Sequence, residues 1–348
     1  IQDLTKGGTL GRMNVRWAGP VGIMCGVWRP HSGQKMEDAR QFQVMSIVKG
    51  SPADGVLKFH DVILGADGTG AANVPLFKGA SSAMAEVGDA IAEAEAHDPA
   101  ILKLLIWRPE KTDDKVDPYK KRGKSEAAES LKSYTEGKTM TVAVKLETLG
   151  RYSDTAPYKC AKSKNVLRKG IKALYESNNP GRFKLGLLCL LAADDPTNPD
   201  NDKYQAKAKE WAHSMIVTKE AGAGAGWYGA GELIVLSEYY LKTKDEAVFP
   251  ELEMRALGLA RGVSWFGTFG HRSASRKPDG SFGGRIGGYG PINGAGTLGF
   301  LGLSLARKAG VKNPEVDAAN ERQRIFFGHF AFHGGIGYGE MPYAIAGG

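Results

Sequence analysis

The sequence predicts a multidomain chain, an α/β domain followed by an all-α domain. Three observations carry this. Strand-like runs are confined to the part before about Leu149, helix-period segments recur from about Tyr152 onward, and 348 residues favour two domains over one. The chain is 42% hydrophobic and 24% charged, a balance that fits a folded chain and not a disordered one.

The elements follow in order. "WAGPVGIMCGVW" (17–28) reads as a glycine loop running into a strand that begins at Ile23. "RQFQVMSIV" (40–48) is a second strand. In "GSPADGVLKFHDVILGADG" (50–68), Ser51-Pro52 suits a helix start, because proline at the first helical position loses no intrahelical donor. Gly55 permits a tight exit from that short helix. Asp61–Leu64 then supplies a β-branched strand that Asp67-Gly68 ends as a turn. Ala83, Val87, Ala90, Ile91 and Ala94 make an apolar stripe along a helix from about Ser81 to Ala96. "AILKLLIW" (100–107) and "KTMTVAVKLE" (138–147) are further strands, the latter with Met140, Val142, Val144 and Leu146 on one face. The intervening 111–137 reads as an inserted, mobile loop with helical propensity near Glu126–Leu131.

Seven helical segments follow, at 162–177, 184–193, 203–217, 229–243, 250–264, 293–310 and 313–333. Gly, Pro and Asn punctuate them as helix stops should. Paired helices without strands point to a bundle, a solenoid or a toroid.

Charge and cysteine use narrow the function. The net charge is +8 with a pI near 9.2, which invites an anionic partner. The basic residues are interleaved with acids, as in "EKTDDKVDPYKKRGKSEAAE" (110–129), a pattern of solvated faces that argues against specific nucleic-acid readout. No apolar run is long enough for a transmembrane helix. Cys25, Cys160 and Cys189 form neither a metal-ligand pattern nor a disulfide framework: one bridge or three free thiols fit equally. No cofactor fingerprint, phosphate loop or nucleophile elbow is present, so neither metal nor cofactor is expected. The chain opens at Ile1 with no initiator Met, consistent with a removed leader and an extracytoplasmic setting.

The order loop and strand, strand, "SPADGVL" helix, strand, long helix, strand resembles a PDZ domain over residues 12–149, with 111–137 inserted. Val21-Gly22-Ile23 match its apolar-Gly-apolar carboxylate loop, and the 50–68 run matches its glycine–serine–proline–alanine helix and the aspartate-led strand after it. His60 stands where that family has Gly, Asp67 where it has Asn, and Pro20 removes a loop donor. The resemblance implies an extended or C-terminal peptide as partner. It would be held at Gly19, Val21, Gly22, Ile23, Met24 and Cys25, with Ala83 and Val87 along the helix side of the groove. The competing reading is a PDZ-shaped scaffold that binds its own chain or a neighbouring domain.

From residue 158 to 348 the helices resemble an α/α toroid of the terpenoid-cyclase-like class. The whole chain is similar to a bacterial family of uncharacterised function that joins a PDZ-like module to such a toroid. The stretches "LGRYSDTAPYKCAKSK" (149–164), "WYGAGELIVLSEYYLKTKD" (227–245) and "GGYGPINGAGTLGFLGLSLARKAGV" (287–311) carry that likeness. A complete toroid needs more helices than these, so an incomplete toroid, truncated or processed after "PYAIAGG", is expected.

The densest chemistry lies in "SWFGTFGHRSASRKPDGSFGGRIGGYGPINGAG" (264–296). His271, Arg272, Arg276, Arg285 and Tyr289, with Lys277, are candidates to surround an anionic ligand, glycines allowing close backbone approach. The plainer reading is a glycine-shaped connection that packs Trp265, Phe266 and Phe282 against helix ends. His329 and His333 are spaced i, i+4 but lack the intervening Glu of a zinc-protease motif. Asp194-Asp195 end a helix before Pro196 and read as a cap or a solvated pair. Two function classes follow. The favoured one is a peptide- or protein-binding scaffold; the alternative is a toroid lyase or hydrolase acting on an acidic polysaccharide.

Overall fold

The protein is described by a computed structural model covering residues 3–6, 12–29, 40–78, 82–111, 136–217, 226–270, 273–274, 277, 279, 281, 291–331 and 335–338. The chain divides into two compact units, Ile1–Asn165 and Val166–Gly348. The mixed sheet-plus-helix layout read from the sequence is present.

The first unit holds one six-stranded antiparallel sheet in the order β1-β2-β3-β4-β5-β6. Its strands are β1 (Arg12–Ala18), β2 (Ile23–Arg29), β3 (Phe42–Ile47), β4 (Val62–Asp67), β5 (Ile101–Pro109) and β6 (Gly137–Lys145). Among the described residues a single helix, α1 (Ala83–Ala94), packs on it. Five of the strands, β2 to β6, and α1 fall where the sequence places them. β1 is an addition: it forms a tight hairpin with β2, Ala18 opposite Ile23 at the turn end.

Alternation explains the layering. Leu102, Leu104, Ile106 and Val144 point to the face that α1 covers with Ala83, Val87, Ala90, Ile91 and Ala94. Fully burying a side chain such as Val87 or Ile91 stabilises by roughly 1.5–3 kcal/mol. On the opposite face Val62, Leu64 and Trp107 form a smaller cluster with Leu4. α1 starts at Ser82, whose hydroxyl accepts from the Ala85 amide.

The expected helix at 51–57 is instead a series of turns. Asp54 N donates to Ser51 O, and Val56 N and Leu57 N both donate to Ala53 O. Gly55 at φ +78° keeps these turns from continuing as a helix. Asp61, fully buried, is held by Arg108 through two hydrogen bonds of 2.8 and 2.7 Å. His60 sits at φ +72°, the left-handed conformation that favours the glycine expected there, with its ring buried against Phe59. Segment 112–135, and with it most of the expected insertion, lies outside the described residues.

The remaining helices are α2 (Ala161–Ser177), α3 (Leu185–Ala192), α4 (Asn201–His213), α5 (Gly226–Thr243), α6 (Phe249–Gly262), α7 (Asn293–Ala309) and α8 (Pro314–Gly328). Each matches a segment expected from helical periodicity, within a few residues. Within the second unit α5 lies along α7, α6 packs on α8, and α3 packs on α4. Leu187, Leu190, Leu233, Leu236, Leu259 and Leu303 are completely or almost completely buried between them. Among the described residues no helix is long and apolar enough to cross a membrane.

Candidate functional site

A cleft of about 300 Å³ opens in the first unit between the β1–β2 turn and one face of α1. Trp17, Gly19 and Pro20 form its strand side. Its helix side is Met84, Val87, Gly88, Ile91 and Glu95, positions three or four apart that share one face. Tyr152 closes one end. Trp17 and Tyr152 are 55% and 53% exposed, so two large rings stand open to solvent at this cleft.

Why α1 has room here is a property of one residue. Gly88 is in mid-helix, and a Cβ built on it meets nothing within 4 Å. Mid-helix glycine costs about 1 kcal/mol relative to alanine, and no close packing contact offsets that cost. The opposite holds at Gly22, at φ +80°, where a Cβ would lie 2.1 Å from Ser51 Cβ.

Tyr152 is placed from a distance. Arg151 makes two hydrogen bonds, 2.7 and 2.6 Å, to the Glu93 carboxylate, and Leu149 N and Gly150 N both donate to Glu95 O. This strap runs across the C-terminal end of α1. The Arg151 guanidinium, with a smaller contribution from His97, lowers the Glu93 carboxyl to about 2. Beneath Tyr152 lies the Lys162 ammonium, 4.6 Å from the ring centroid and 2.7 Å from Glu95, with the lysine only 1% exposed.

The peptide-site residues read from the sequence divide. Gly19 and Val87 line the cleft. Val21, Ile23, Cys25 and Ala83 are buried in the core between sheet and helix, and Met24 is buried as well. The β2 backbone pairs with β1 on one side and β3 on the other, so Ile23–Cys25 has no edge to offer. Among the described residues the edge strand beside the cleft is β1. The turn also uses its own amides: Val21 N and Gly22 N donate to Ala18 O at 3.1 and 2.9 Å. Sequence reasoning missed Trp17, Met84, Gly88, Ile91, Glu95 and Tyr152. The one available signal was Gly88, a glycine inside an otherwise regular helical stripe.

A larger cleft, about 460 Å³, lies on the other side of α1 and is lined by Asp67, Lys78, Glu86, Asp89 and Glu93 among others. Most of its carboxylates are already engaged. Asp67 accepts from the Gly70 and Ala71 amides, Glu86 accepts from Lys78 N, and Glu93 holds Arg151. That engagement makes the cleft a network of the fold's own contacts.

In the second unit, His271, Arg272, Arg276, Arg285 and Tyr289 all lie outside the described residues, as do Phe282 and His333. Trp265 and Phe266 stack on each other at 3.8 Å and stay 57% and 41% exposed, so they do not pack into the helix ends. Asp194 pairs with Lys242 at 3.1 Å and Asp195 with Arg168 at 2.9 Å. Asp245 accepts from Tyr239 OH at 2.8 Å and lies 2.7 Å from His213 Nε2, a contact that lowers its carboxyl. All three thiols are free, Cys25 and Cys160 buried and Cys189 exposed. Burial pushes Cys25 up to about 12, whereas hydrogen bonds led by the Ser163 hydroxyl bring Cys160 down to about 6. Among the described residues no three His, Cys, Asp or Glu side chains gather as metal ligands.

A family model described as "Domain of unknown function (DUF6288)" matches residues 163–346, more than half of the chain and all of it beyond the α1 cleft. No curated protein and no solved structure matches the chain.

Proposed function

The chain belongs to the DUF6288 family, and because that description assigns no activity we propose a function from the first unit: a PDZ-like module that docks an extended peptide in the α1 cleft and is followed in sequence by a helical unit read as an incomplete α/α toroid. The PDZ-like reading is supported by the order strand, glycine turn, strand, strand, turns, strand, helix, strand, with Asp61 leading β4 and a positive φ at His60 where the resemblance expects glycine. The toroid reading is supported by successive helices that pack pairwise.

One observation carries the function. An apolar cleft with two exposed aromatic rings borders β1, a strand that among the described residues has a strand neighbour on one side only. An extended chain laid there would gain main-chain hydrogen bonds from β1 and side-chain burial against Met84, Val87 and Ile91. Strand addition moves from β2, where the sequence placed it, to β1.

The test is to fill the cleft. Gly88→Trp should leave the thermal midpoint near that of the parent, because the new side chain starts in open space. Binding of peptides selected on the parent chain should fall at least about tenfold, roughly 1.4 kcal/mol. Selected peptides that bind the variant as well as the parent would place docking elsewhere.

A further inference from the structure

Building on the docking reading just given, we propose that the α1 cleft takes an internal extended segment of a partner polypeptide, anchored by one bulky apolar side chain over Gly88, and does not read a free chain terminus.

Three features carry this. The first is the supply of donors at the turn. Carboxylate recognition by such a loop needs amides that point outward, yet Val21 N and Gly22 N are both spent on Ala18 O, and Pro20 has no N–H. Three of the four residues from Gly19 to Gly22 therefore have no amide to give.

The second is charge. Among the described residues, Glu95 is the one charged side chain that lines the cleft. Its partner Lys162 is 2.7 Å away but buried to 1% exposure beneath the Tyr152 ring, so the ammonium neutralises Glu95 without presenting itself to a ligand. Among the described lining residues, a carboxylate arriving at this end would meet another carboxylate and no accessible cation. A terminal ammonium would meet a Glu95 already paired. Neither kind of terminus gains a charged contact, whereas a chain that continues past the cleft brings no charge that must be matched.

The third is shape. Gly88 leaves a notch on α1, bordered by Met84, Ile91 and Ala92, with exposed Trp17 on the strand side. A large apolar or aromatic side chain fits that chemistry, and rings of this kind supply most of the affinity in docked segments.

The experiment uses the full chain and two displayed pools of random nine-residue segments, a length of about 30 Å when extended. In one pool the random segment ends in a free carboxylate; in the other it is embedded between Gly-Ser flanks. The expectation is enrichment from both pools with a bulky apolar residue at one position. Free-acid and amidated forms of a selected sequence should then bind within about threefold of each other, less than about 1 kcal/mol. A preference of about tenfold or more for the free acid, with binding still blocked by Gly88→Trp, would overturn this inference and leave the docking reading standing. Failure of both pools to bind, or binders indifferent to Gly88→Trp, would overturn the docking reading and this inference with it.

Discussion

Two glycines in the first unit make opposite demands on the chain. Gly22 has φ +80° and a Ser51 side chain where its own Cβ would be, so Gly22→Ala combines backbone strain with a steric clash. The expected cost is about 1–3 kcal/mol, of the kind seen at left-handed positions. Gly88 has helical surroundings and open space, so Gly88→Ala should stabilise by up to about 1 kcal/mol. Denaturant midpoints of the two variants measured side by side check the contrast. A neutral Gly22→Ala or a destabilising Gly88→Ala would show that the local geometry is misassigned. The same comparison marks what was legible at this scale: Gly22 stood out as a turn glycine, but its partner Ser51 is 29 positions away and carries no local signal.

At the scale of elements, the strap from Leu149 to Tyr152 owes its place to α1. Arg151 lowers the Glu93 carboxyl to about 2 from an ordinary 4.5, so this contact contributes stability at pH above about 4.5 and loses it as the pH falls toward 2. Protection of the Leu149 and Gly150 amides, which donate to Glu95 O, should therefore drop across that window. In Glu93→Gln the same amides should show reduced protection already at neutral pH, and no further pH step. A parent chain whose strap stays protected at pH 2 would mean that Arg151–Glu93 does not hold it. Helical elements were the most legible, since 3.6-residue periodicity over a dozen or more residues leaves few alternatives, as α5 and α7 illustrate. β1 was legible but passed over: in "RMNVRWA" Arg12, Asn14 and Arg16 alternate with Met13, Val15 and Trp17, the period of a strand, and its pairing with β2 completes the hairpin. The turns at 51–57 read as helix because Gly55 suits the exit of a short helix, whereas its positive φ leaves only turns before it.

At the scale of the whole molecule, the two-part layout was read from the change of hydrophobic period near Tyr152, whereas the cleft was not. Its walls come from Trp17, from α1 and from Tyr152, segments separated by dozens of residues and brought together only by the sheet. The family match falls on residues 163–346 and so does not reach these walls. The central claim is that an extended segment adds to β1 beside α1. Hydrogen exchange on the full chain, with and without a peptide selected on it, tests this most directly. The account predicts that binding slows exchange in Arg12–Ala18, by at least about tenfold for the amides that face the added strand, and that Gly88→Trp removes the effect. Slowed exchange confined to other segments, or none in β1 at saturating peptide, would contradict it.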